Sequence, residues 1–121
     1  MRIKKFNEHS IKDFQQENEG LLAQFIHEHN FSISTYKNEL INNSYDVSIM
    51  SWNDVVRWED CKDDIIPYFE YINRRYKIDN EITFSYLADC KEHKLHRKIK
   101  DLESLLNNNF LFFEITFSIY F

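Results

Sequence analysis

In the first thirty residues the apolar positions recur at helical spacing, as Ile11, Phe14, Leu22, Phe25 and Ile26. Ser10 stands where a capping hydroxyl is needed and Asp13 lies near the first turn, so the pattern predicts a helix over residues 11–29. Inside it QQENEG offers no apolar side chain, and Gly20 costs a helix interior about 1 kcal/mol, which makes this stretch a candidate break. The period then drops to two. FSISTY (31–36) and YDVSIM (45–50) alternate like half-buried strands, and the polar connector KNELINNS makes them a hairpin with a loose loop.

The helical period returns with Ile65, Phe69, Ile72 and Tyr76 at i, i+4, i+7 and i+11. Ser51 and Asp54 suit a short capped segment ahead of it, and Asp63 and Asp64 suit the cap and first turn of the helix itself. Pro67 has no N–H for an interior bond, so it belongs in a first turn or at a kink, while Arg74 and Arg75 complement the far end. Period two resumes twice more, with Ile82, Phe84 and Tyr86 on one face, then Phe113, Ile115, Phe117, Ile119 and Phe121 against Glu114, Thr116 and Ser118. Between these runs Leu95, Ile99, Leu102 and Leu106 form a helical stripe long enough for a crossover between parallel strands. The pentapeptide EITFS occurs in both strand runs, at 81–85 and 114–118. Two partial copies without a shared helix pattern predict two strands of one sheet rather than a solenoid. The expected fold is therefore one α+β or α/β domain over residues 1–121. Its two layers are a mixed sheet and about three covering helices, and it closes with a β-α-β unit.

Composition agrees with a single core: 43% of the 121 residues are apolar and 17% aromatic, eleven of them Phe and seven Tyr. One Gly and one Pro leave nothing for a glycine-rich phosphate loop. The opening MRIKKFNEHS has no apolar run of signal-peptide length, and no segment approaches the roughly 18 apolar residues of a membrane span, so a soluble, cytoplasmic protein without a membrane partner is expected. Cys61 and Cys90 are too few and too far apart for a disulfide framework, as suits free thiols in a reducing compartment. The net charge of −5 repels nucleic acid and favours a basic protein partner.

Three constellations carry candidate chemistry. Cys90, His93 and His96 stand at i+3 steps, with His27 and His29 as further possible metal ligands. On a helix such steps drift by about 60° each, so at most two share a face, and exposed histidines rather than a metal or cofactor site are expected. A Cys90–His93 nucleophile and base has no recognisable oxyanion hole, and enzymatic activity is not expected. The second constellation is the basic run Lys91, Lys94, Arg97, Lys98 and Lys100. Its setting, ITFSYLADCKEHKLHRKIKDLESL, resembles the TFxxLA…hRxIKxLExL rhythm of winged helix-turn-helix domains, which implies a DNA-binding regulator. Leu87 to Ile99 is too short for both helices of that motif, and the solvated face of one crossover helix is the simpler account. A small nuclease is a further alternative. The third is WNDVVRWEDCKDD, where Trp52 and Trp58 stand among Asp54, Glu59, Asp60, Asp63 and Asp64. Aromatic anchors ringed by carboxylates suit a surface that grips a basic, cleft-bearing protein, although the same residues also serve as core rings and helix caps.

A small, acidic, aromatic-rich, glycine-poor domain with much Asn, Lys, Ile and Phe resembles the immunity proteins that bacteria encode beside polymorphic or contact-dependent growth-inhibition toxins. Phage-encoded inhibitors of host defence share the same character. The resemblance spans the chain in overall character and transfers no individual residue. It implies stoichiometric binding and neutralisation of a toxin domain, commonly a nuclease, without catalysis.

Overall fold

The computed structural model describes residues 10–51, 55–105 and 110–121, with the side chains of 21–29 and 104–105 outside the description. In chain order the elements are α1 (Ile11–His29), β1 (Phe31–Lys37), β2 (Ser44–Ser51), β3 (Val56–Arg57), α2 (Trp58–Arg75), β4 (Lys77–Ile78), β5 (Glu81–Ala88) and β6 (Lys91–Lys98). A 3-10 turn (Ile99–Asp101), the one-turn α3 (Leu102–Leu105), β7 (Leu111–Phe112) and β8 (Glu114–Tyr120) follow. Strands β1, β2, β8, β5 and β6 lie side by side in that order, β4 pairs with the far half of β8, and β3 with β7 forms a separate two-stranded ribbon. Every pairing is antiparallel.

α1 starts where its sequence places the cap. Ser10 Oγ accepts from the Asp13 N–H at 3.2 Å and Asp13 Oδ2 accepts from the Ser10 N–H at 3.1 Å, a reciprocal capping box. The helix runs unbroken through Gly20 and ends at Asn30, whose φ of 55° is the left-handed cap that asparagine tolerates. A Cβ built on Gly20 meets nothing within 4 Å. Gly20→Ala therefore stabilises the protein by about 1 kcal/mol, measurable as a higher urea midpoint at unchanged slope.

Both long helices pack on one sheet face. Alternation along β8 sends Ile115, Phe117 and Ile119 inward, and the register puts Val47 and Ile49 of β2 and Phe84 of β5 beside them. α1 meets this face through Phe14, edge-on to Phe117 at 6.4 Å, and α2 through Phe69, edge-on to Phe117 at 5.2 Å. The helices are tied to each other by the buried Tyr68 hydroxyl, which donates to Asn18 Oδ1 at 2.6 Å, and by an ion pair between Arg75 and Glu17. Burial pushes the Tyr68 phenol far above its usual range, so it stays a neutral donor.

The two EITFS runs are adjacent strands. Thr83 lies opposite Thr116, Phe84 opposite Ile115 and Ser85 opposite Glu114. The same letters satisfy the same demand on neighbouring strands, one face on the core and the other open.

The structure is of the expected α+β class, helices packed on a sheet, and corrects the expected architecture in its details. The sheet is antiparallel rather than mixed among the described residues, and residues 91–98 form a strand instead of a crossover helix. What reads as a β-α-β unit is a β5–β6 hairpin turning at Asp89 and Cys90, with φ of 54° and 63°, followed by a chain that returns to β8. Consecutive positive φ values are the geometry of a tight hairpin turn whose twist matches the strands. Among the described residues only two long helices cover the sheet; Leu102 of the third, four-residue helix is buried against the core, while Leu106 lies outside the described residues. α2 also begins earlier than its apolar stripe suggests, at Trp58, and this puts Pro67 in the helix interior. There it withholds one N–H from the ladder on an exposed side.

Candidate partner-binding surface

α2 has two chemically distinct faces. Trp58, Cys61, Ile65, Tyr68, Phe69 and Ile72 are buried and continue a single helical stripe from the first residue. Trp58 is 0% exposed, edge-on to Phe84 at 5.6 Å and tilted against Phe112 at 6.3 Å. Its backbone N–H donates to the Phe110 carbonyl at 2.8 Å, which joins the start of α2 to the chain entering β7. Trp58 is thus a core ring, and as such is withdrawn from any partner surface. The reason is positional: it stands three residues before Cys61 and seven before Ile65, on the inward side. Trp52 and Asp54 lie outside the described residues.

The opposite side of the first two turns carries Glu59, Asp60, Asp63 and Asp64, all exposed. At 100° per residue these four fall within about 140° of arc. Glu59 pairs with Lys62 at 3.3 Å, and no side chain caps the helix at Arg57. Glu59 and Asp60 in the first turn therefore have a local role, opposing the positive end of the helix dipole. That interaction fades beyond the first turn, so it does not account for Asp63. A buried group also senses the local field: the Cys61 thiol is pushed far up, first by burial and then by Asp60 and Asp64. Cys61 is a neutral packing group, its Sγ directed to the Arg57 carbonyl at 3.5 Å.

The other constellations separate. His93 stacks on Tyr86 at 5.4 Å on the helix side of β6, whereas His96 meets Thr83 Oγ1 at 2.9 Å on the open side. They are three positions apart on a strand, so they point to opposite faces. Cys90 occupies the turn, the side chains of His27 and His29 lie outside the description, and no metal-binding group of three appears among the described residues. Lys91, Lys94, Arg97 and Lys98 lie along an edge strand, with Lys100 in the turn after it. No helix is present at 82–98 to serve as a recognition helix. A row of charges on an edge strand has a structural use, since it discourages pairing with other chains.

Sequence reasoning missed the polar face of the sheet. There Glu114 accepts from Ser48 at 2.6 Å and from Ser85 at 3.4 Å, and Lys94 donates to Ser85 at 2.7 Å, linking β2, β8, β5 and β6. Beside this network a groove of about 720 Å3 is lined by Asp46, Asp79, Glu81, His96, Lys98 and hydroxyls of β5 and β8. Two of its carboxylates are held in place, Asp46 by Ser118 at 3.0 Å and Asp79 by Tyr120 at 2.8 Å. The signal was present in the alternation of β2, β5 and β8, as Asp46, Ser48, Thr83, Ser85, Glu114, Thr116 and Ser118 between the apolar positions. No helix among the described residues is long and apolar enough to cross a membrane. Compared with known proteins, the chain matches no family model, no curated protein and no solved structure.

Proposed function

We propose that this protein is a stoichiometric inhibitor of the immunity-protein type, which binds a basic protein domain, such as a toxin nuclease, through the exposed acidic face of α2. The observation that carries this reading is the separation of α2 into a fully packed side and a side presenting Glu59, Asp60, Asp63 and Asp64. Carboxylates fixed on a helix anchored in the core form a rigid negative surface, and rigidity lowers the ordering cost of association. Their field accelerates encounter with a cationic partner. The overall charge of −5 acts in the same direction at longer range. With Trp58 in the core and Trp52 outside the described residues, the described part of this surface is chiefly electrostatic.

The test is co-expression with the product of the neighbouring gene, which this reading expects to contain a basic toxin domain. The parent protein restores growth and co-purifies with that domain at a fixed ratio, and Asp60→Lys with Asp63→Lys loses protection while its circular dichroism stays unchanged. Full protection by the folded double variant removes α2 from the interface.

A further inference from the structure

The sheet has two edges of opposite character. β6 reads KEHKLHRK, and seven of its eight residues are titratable. Such a strand repels an incoming copy of itself and discourages edge pairing. β1 reads FSISTYK, with Lys37 its only charged residue, and its register with β2 is regular over all seven residues. No described strand lies on the outer side of β1. A cavity of about 390 Å3 between α1 and β1 is lined by Gln15, Asn18, Glu19, Ile33 and Thr35, and Ile33 is left only partly buried. β1 is thus a regular, nearly uncharged edge, and Ile33 is the one apolar side chain among the described residues that line the space beside it.

We propose that β1 pairs antiparallel with β1 of a second copy, about a twofold axis at Ser34, and joins the two sheets into one. A second copy fits because the middle of the strand, Ser32 to Tyr36, is complementary to its own reverse. With the axis at Ser34, Ser32 faces the copy's Tyr36 and Ser34 faces its counterpart on the open side. On the helix side Ile33 faces Thr35, a β-branched pair of the kind that stabilises neighbouring strands. The alternation of β1 and its pairing with β2 define these two sides. The two Lys37 residues then lie about 20 Å apart at opposite ends of the ladder, so no like charges meet. A foreign strand would also have to bring a helix layer on the correct side; a second copy supplies it as α1. This inference is independent of the acidic face of α2.

Sedimentation at about 100 µM protein tests the proposal, because a Kd of roughly 10 µM already leaves most chains paired at that concentration. The parent sediments as a dimer. Ser34→Lys sets two ammonium groups against each other at the axis and sediments as a monomer with unchanged circular dichroism. Register is tested by oxidation in a Cys90→Ser background, which removes the exposed native thiol. Ser34→Cys cross-links to its own copy, since directly opposed residues lie about 4.5–5.5 Å apart, within disulfide reach. Ser32→Cys does not, because its copy is about 14 Å away. A monomeric parent, a dimeric Ser34→Lys variant, or equal cross-linking at both positions overturns the proposal.

Discussion

Trp58→Ala is expected to destabilise the protein by about 3–5 kcal/mol, the usual cost of emptying a fully buried aromatic site. The ring is 0% exposed and lies against Phe84 and Phe112, so its loss opens a cavity where α2, β5 and β7 converge. Partial collapse is restricted because the Trp58 N–H is also bonded to the Phe110 carbonyl. Trp58→Phe keeps part of the aromatic contact and loses less. Urea unfolding followed by far-ultraviolet circular dichroism measures both. An alanine variant as stable as the parent would place the ring outside the core and return it to the candidate binding surface.

Deleting residues 115–121 is expected to abolish folding altogether. β8 is the central strand, with β2 on one side and β5 and β4 on the other, so its removal separates β1–β2 from the β5–β6 hairpin. Ile115 and Ile119 are 0% exposed and Phe117 is 5% exposed. Three such side chains contribute about 2 kcal/mol each by burial alone, roughly 6 kcal/mol in all, comparable to the whole stability of a small domain. The truncated chain shows poor amide dispersion in its NMR spectrum and no cooperative thermal transition. A cooperative transition after the deletion would mean that the two remaining pieces of sheet hold together without it.

Elements with a continuous apolar face were legible in the sequence. α1, β1, β2, β5 and β8 are where the periodicities of Phe14, Val47, Phe84 and Phe117 place them, because burial of one face enforces each pattern. β6 was not legible. It is an edge strand with Leu95 as its one large apolar side chain, and its Lys, Glu and Arg residues favour helix when no partner strand is considered. Pairing with β5 overrides that preference, and Leu95, Ile99 and Leu102, which mimic a helix stripe, reach the core from a strand, a turn and a short helix instead. The start of α2 was obscured by Pro67, which reads as a first-turn residue yet sits in the interior of a helix held by packing on both sides of it. Of the candidate surface, the four carboxylates were visible as charges. The burial of Trp58 was legible only as one of two readings of the tryptophans, because its role depends on a helix start that local capping signals do not mark.

The central claim, that α2 builds the core with one side and meets a basic partner with the other, is tested most directly by association kinetics. The double variant Asp60→Lys with Asp63→Lys is compared with the parent against the cognate basic domain at low and high salt. Steering is screened over roughly 10 Å at 0.1 M salt, so the variant associates much more slowly at low salt and the difference narrows as salt rises. Equal association rates at low salt, from a variant with unchanged circular dichroism, would contradict the claim.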